Sequence, residues 1–348
     1  MNAQLYTSHG RPVPASARNQ EPPAGCAAIH LRHIRKTGGG SLRHLLFRLH
    51  YQKQPTFGSP VERDAYKIDL DQLASNRTYF GMRQAGRRLY WEYHSPWDLN
   101  GPWFLQQLAP RLPALRRAYA ASNCTLLLVL LLREPVAHYV SDYYYFESEY
   151  ARSQRAARLA LRPTPAGVNR MSINRSLMDH AQVHTEAQLV HLSCEHPVAC
   201  TTDLSQGRQR SYTVYESLFG EAIYRRPEEA TVRSVLRLFD VIGVTEQEGA
   251  LQAELCRRLA FGEACPDELR QTVQRPEKSL VNGLGDGKPL ALAAAREATA
   301  AAQPLRAVLL DTAPLTACLH RRALDEWRAG RVASGKSIIR SGSSCQSI

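Results

Sequence analysis

Three groups of residues in this chain have the types and spacing to do chemistry. The first is Lys36-Thr37-Gly38-Gly39-Gly40-Ser41. Glycine lets a backbone approach an anion closely and take positive φ. Lys36 adds a full charge, and Thr37 and Ser41 add hydroxyl donors. Such a turn suits a phosphate or a similar oxyanion. The second group is Arg133, followed by Glu134 and Pro135, with Ser141 about two helical turns further on. A guanidinium pairs with a phosphate in a planar, bidentate way that lysine cannot copy. The third is Glu92 and His94, at the end of the aromatic run Arg88-Leu89-Tyr90-Trp91-Glu92-Tyr93-His94. A histidine with an ordinary pKa of ~6.5 can take a proton from a hydroxyl at neutral pH. Glu92 lies two residues earlier, on the same side of a strand. It is either a reserve base or the group that orients the imidazole.

These residues need elements to position them. Ala27–Ile34 is short and β-prone, with Ile29, Leu31 and Ile34 apolar. After the glycines the period changes, and Leu42, Leu45, Leu46 and Leu49 fall on one helical face, with Ser41 as N-cap. The first unit therefore reads strand, glycine turn, helix. The helix offers its unpaired N–H groups and positive dipole end to the turn. Arg88–His94 reads as a second strand, stopped by Pro96. Leu126–Leu132 is continuously apolar, as in a central parallel strand covered on both faces. It runs straight into Arg133, and Pro135 opens the next helix where its missing N–H costs nothing. Phe239–Glu246 is a late strand leading into a helix. In an open α/β sheet, ligands sit off the carboxyl ends of strands, which is where all three groups fall.

The order of residues in the turn separates it from the GxxxxGK[ST] nucleotide-triphosphate loop, because lysine precedes the glycines. It resembles the 5′-phosphosulfate loop of sulfotransferases that use 3′-phosphoadenosine 5′-phosphosulfate (PAPS). The branch it most resembles is the Golgi carbohydrate group that contains heparan sulfate and uronyl 2-O-sulfotransferases. Arg133–Tyr144 resembles that family's 3′-phosphate motif, R-[DE]-P-x-x-R-x-x-S-x-Y-Y. Phe239–Glu246 resembles its late FD-x-[VI]-G-[ILV]-T-E strand, and Thr185–Leu189 a Gln-containing segment. The resemblance spans roughly residues 27–260. It implies a P-loop NTPase-like sulfotransferase fold of the α/β class, a central parallel sheet flanked by helices. It implies that Lys36, Thr37, Gly38, Gly39, Gly40 and Ser41 bind the 5′-phosphosulfate and that Arg133 and Ser141 bind the 3′-phosphate. It further implies that Lys36 stabilises the leaving group and that His94, with Glu92 in reserve, is the base. PAPS is then a co-substrate, no metal is required, and the acceptor is a hydroxyl of an acidic glycan or polysaccharide in the Golgi lumen. Two positions depart from the pattern. His138 stands where the family has its second arginine, and Gly40 where it has a threonine after the two glycines.

Composition frames these expectations. The chain has 348 residues, 44% hydrophobic, with a net charge of +12. A basic surface attracts polyanions. Nucleic acid has only that charge in its favour, with no recognised binding module. The expected organisation is a disordered segment over 1–25, one sulfotransferase domain over 26–330 and a disordered tail over 331–348. No apolar run is long enough to span a bilayer, so a membrane is reached only through an anchor absent from this chain. The eight cysteines include no CxxC pair. Cys194/Cys200 and Cys256/Cys265 could close small disulfide loops or remain buried thiols. Sequons stand at Asn76, Asn123 and Asn174. Arg152, Arg155, Arg158 and Arg162 could touch an anionic polymer or form a solvated helix face. Two other function classes stay open. A kinase of the same scaffold would need ATP and Mg²⁺, and a catalytically silent polyanion-binding protein would bind glycan without PAPS.

Locally, Tyr51–Asn76 is expected as loop with a short helix near Asp69–Ala74, and Thr78–Met82 as a strand. Trp97–Tyr119 is expected as a helix broken at Pro110 and Pro113, and 289–329 as two Ala-rich helices separated near Pro304–Pro314.

Overall fold

The computed structural model describes residues 26–34, 36–53, 60–84, 87–93, 104–146, 178, 188–189, 192, 229–260, 303–309, 311–340 and 345. Its centre is an all-parallel α/β sheet. The strands are β1 (Ala27–Arg32), β2 (Gln52–Lys53), β3 (Arg88–Tyr93), β4 (Thr125–Leu132) and β5 (Val241–Val244), in the order β2-β3-β1-β4-β5. β1 lies between β3 and β4, with Arg32 opposite both Tyr93 and Leu130. Every residue of β1 is buried, as are the last six of β4. Helices on both faces explain why these strands read as apolar runs rather than alternating ones.

Among the described residues, the helices include α1 (Gly39–Arg48), α2 (Pro60–Ser75), α3 (Arg77–Gln84), α4 (Ala109–Ala121), α5 (Pro135–Phe146), α6 (Glu229–Leu236), α7 (Glu248–Leu259), α8 (Pro314–Arg328) and α9 (Gly335–Arg340). α1 buries Leu42, Leu45 and Leu46, the face read from the sequence. Topology then fixes where a ligand can sit. The chain leaves β1 toward β2 and β3 on one side of the sheet and leaves β4 toward β5 on the other. The two connections part between adjacent strands, and the crevice off their carboxyl ends is where doubly wound sheets bind ligands.

Several local expectations are corrected. Thr78–Met82 is part of α3, not a strand. Asn76 sets that helix, its Oδ1 accepting the Tyr79 N–H at 3.0 Å, and Phe80 packs edge-on against Tyr119 at 4.9 Å. A short aromatic run does not by itself choose between strand and helix. α2 is far longer than the short helix expected, and it buries Leu70 and Leu73. The prolines do not break α4. Pro110 opens it, and Pro113 lies within it. Pro314 likewise starts α8.

Residues 331–340, the first part of the tail expected to be disordered, are built into the molecule. Ala333 O accepts the Ile242 N–H at 2.8 Å, and the Gly335 N–H donates to Phe239 O at 3.1 Å, so residues 333–335 cover the open edge of β5. α9 follows, with Ile338 buried. A side chain on Gly335 would run into the Leu236 carbonyl. Serines and cations hid a few apolar residues that have an edge to cover.

Two disulfides join cysteines that the sequence reading did not pair. Cys26 pairs with Cys124 across 98 residues, joining the starts of adjacent β1 and β4, and Cys318 pairs with Cys345. Cys256 is disulfide-bonded too. Cys194, Cys200 and Cys265 lie outside the described residues, as do 1–25 and the arginines at 152–162.

Candidate functional site

The glycine turn stands at the carboxyl end of β1, and its backbone is shaped as an anion cradle. Lys36 has φ 63° and Gly38 φ 90°, both in the left-handed region. Gly38 is the N-cap of α1, so Ser41 is not the cap expected; it is the third residue of the helix, with its N–H on Gly38 O at 3.1 Å. The N–H groups of Gly38, Gly39 and Gly40 have no hydrogen-bond partner among the described residues. A Cβ on Gly39 would fall 2.4 Å from the His33 ring, so glycine is required there. A Cβ on Gly40 would meet nothing within 4 Å.

The two hydroxyls do not act as expected. Thr37 is fully buried and donates its hydroxyl to Ile34 O at 2.7 Å, holding the turn closed. Ser41 lies near the Glu248 carboxylate, whose pKa is raised by burial even though Ser41 and Gln252 pull it down. The Thr37 hydroxyl therefore shapes the cradle.

Arg133 stands at the end of β4, beside this turn. Its Nη1 donates to Lys36 O at 2.9 Å, which joins the first two sequence motifs directly. Its Nε and Nη2 have no protein acceptor among the described residues. Burial lowers the guanidinium's pKa, while Glu246 and Glu134 raise it. Gln188 clamps the Arg133 backbone, accepting its N–H at 3.0 Å and donating to its carbonyl at 2.8 Å. That gives Gln188, from the Gln-containing segment, a definite position. Ser141 is a buried residue of α5, and its hydroxyl makes no hydrogen bond among the described residues. His138, in place of the family's arginine, is fully buried and edge-on to Tyr139 at 5.8 Å.

The third motif supplies residues that sequence reasoning did not place in the site. Thr245, at the end of β5, donates its hydroxyl to Thr37 O at 2.9 Å and to Leu132 O at 3.2 Å, bridging both loops. Glu246 accepts the Glu134 N–H at 2.9 Å and pairs with His320 Nε2 at 2.8 Å. Burial pushes the Glu246 carboxyl up, but the His320 bond and the backbone N–H groups outweigh it, and its pKa lies below the ordinary value. The signal in the sequence was the Thr-Glu pair directly after an apolar strand.

Glu92 is corrected most. Its side chain is fully buried; Arg43 forks both carboxylate oxygens at 2.5 and 2.9 Å, and His33 Nδ1 lies 2.8 Å from Oε1. The Arg43 pKa is raised, chiefly by its hydrogen bond to Glu92. A carboxylate held by a guanidinium and an imidazole is a poor base, so Glu92 is not a reserve for proton abstraction. It joins the end of β1, the first turns of α1 and strand β3. His94 follows β3 but lies outside the described residues.

Among the described residues, no group of His, Cys, Asp and Glu is gathered to hold a metal ion, and no helix is long and apolar enough to cross a membrane. The glycine turn, Arg133 and the Thr245-Glu246 turn thus converge off the carboxyl ends of β1, β4 and β5. Compared with protein-family models and with curated proteins, the chain gives no match.

Proposed function

We propose that this protein is a PAPS-dependent sulfotransferase that moves a sulfuryl group to a hydroxyl of an acidic glycan. The observation that carries the reading is the joining of Arg133 Nη1 to Lys36 O at 2.9 Å, which brings two distant cationic motifs to one crevice. The residues fit a nucleotide with two separated phosphate groups. The N–H groups of Gly38–Gly40, unpaired among the described residues, suit the 5′-phosphate. The remaining Arg133 donors and the Ser141 hydroxyl suit the 3′-phosphate. Open space at Gly40 leaves room for the phosphosulfate.

When bound, the donor supplies the sulfuryl group; its bond to the 5′-phosphate oxygen breaks as the acceptor oxygen bonds to sulfur. The Lys36 ammonium and the first-turn N–H groups stabilise charge on the departing phosphate, and His94 receives the acceptor's proton. Positioning and electrostatics supply most of the rate, as in phosphoryl transfer. The net charge of +12 suits an acidic acceptor. The Cys26–Cys124 disulfide favours an oxidising compartment such as the Golgi lumen.

Calorimetric titration with the spent donor, 3′-phosphoadenosine 5′-phosphate, tests this reading beside ATP–Mg²⁺. Micromolar affinity is expected for the native protein. A loss of about tenfold or more is expected for Arg133→Lys, which keeps charge but not the fork, with Arg133→Ala weaker still. Thermal unfolding of each variant separates lost binding from lost fold. Binding of ATP–Mg²⁺ in preference would favour a kinase. Binding of a sulfated polysaccharide without the nucleotide would favour a silent polyanion-binding protein.

A further inference from the structure

We infer that Thr245 is a positioning residue that sets the direction of the anion-binding N–H at Gly38, an inference that rests on the donor site proposed above. Gly38 has φ 90° and no side chain, so the Thr37–Gly38 peptide is free to lie in more than one plane. Something outside the turn must choose. The Thr245 hydroxyl accepts that role, with Oγ1 2.9 Å from Thr37 O and Cγ2 3.5 Å from the position a Cβ on Gly38 would take. No described peptide is cis. In a trans peptide the N–H points opposite to the preceding carbonyl. Holding Thr37 O toward β5 therefore turns the Gly38 N–H away from β5, toward the open side of the turn, where it has no partner among the described residues.

The same hydroxyl reaches Leu132 O at 3.2 Å. By the same geometry the Arg133 N–H points away from Thr245, where Gln188 Oε1 accepts it at 3.0 Å. One hydroxyl proton, shared between two carbonyls, thus fixes the peptide planes preceding both Gly38 and Arg133. Neighbouring Glu246 adds a third fixed point by accepting the Glu134 N–H. The end of β5 touches no ligand in this scheme; it acts through the two loops that do.

Thr245→Val keeps the shape and removes the hydroxyl, while Thr245→Ser keeps the hydroxyl and removes the methyl. Hydrogen–deuterium exchange of the peptide covering residues 36–42 should speed up in the valine variant and stay near native in the serine variant. Affinity for 3′-phosphoadenosine 5′-phosphate should fall about five- to tenfold with valine, the scale of one hydrogen bond, and recover with serine. Unchanged exchange in Thr245→Val, in a protein that keeps its native melting temperature, overturns the inference. Native protein that does not bind the nucleotide overturns the donor-site reading, and the exchange comparison still decides the role of Thr245 in the turn.

Discussion

At the scale of single residues, the three glycines of the turn are not equivalent, and their differences make a prediction. Gly38 carries the left-handed backbone, Gly39 leaves space for the His33 ring, and a Cβ on Gly40 would meet nothing within 4 Å. Gly39→Ala should force the imidazole off Glu92 or the turn off β1, costing about 2 kcal/mol by overpacking and weakening nucleotide binding. Gly40→Thr should leave the melting temperature within a few degrees and, by adding a hydroxyl at the cradle, tighten nucleotide binding. Thermal unfolding and calorimetry on both variants check this. Equal damage from the two substitutions would contradict the packing described.

At the scale of elements, the Glu92 network decides how α1 sits on the sheet. Glu92 is fully enclosed, whereas Arg43 keeps 29% of its side chain exposed. The partners should therefore respond unequally. Arg43→Met leaves a buried carboxylate without its guanidinium, an imbalance that costs about 3 kcal/mol. Glu92→Gln leaves an arginine that can turn to solvent and still offers His33 a hydrogen-bond acceptor, costing about 1 kcal/mol. Urea denaturation of the two variants measures the asymmetry, and a larger cost for Glu92→Gln would refute it. The physical reason is that a charge with access to water keeps its hydration, while an enclosed one must find its partner inside the protein.

At the scale of the whole molecule, the sheet carries a built-in sensitivity to acid. His30 lies in the middle of β1, stacked on Trp91 at 4.6 Å, and burial lowers its pKa from 6.5 to about 3. Between those two values the unfolded chain takes a proton that the folded chain refuses. Stability attributable to His30 is thus complete above pH 6.5 and falls by up to about 1.4 kcal/mol for each pH unit below it, until about pH 3. His30→Phe keeps an aromatic ring for Trp91 and removes the titration. Its loss of stability between pH 6.5 and 5, measured by urea denaturation, should be smaller than the native loss by about 1.6 kcal/mol. An identical loss in the two proteins would place the acid sensitivity elsewhere. Glu246, whose pKa is depressed, acts in the same direction at lower pH: its contribution is present above the ordinary carboxylate range and fades as pH falls through the folded value.

Strong local signals along the chain were enough to place several elements. The apolar runs gave β1, β4 and β5, the change of period gave α1, and proline after Arg133 gave the start of α5. Those signals are local because burial on both faces and helix initiation are written in adjacent residues. They also placed Lys36 and Arg133 at strand ends, and hence at one edge of a parallel sheet. What the side chains do there depends on contacts made across the folded chain. Thr37 carries the right hydroxyl, yet Ile34 O holds it. Glu92 looks like a base in a strand, yet Arg43 and His33 come to it from α1 and the end of β1. Thr245 looks like a helix-start residue, yet it braces two loops more than a hundred residues away. Edge coverage by residues 333–335 is of the same kind. Each outcome depends on which polar group of one element meets which group of another once the sheet order is set, and no window of sequence contains both partners.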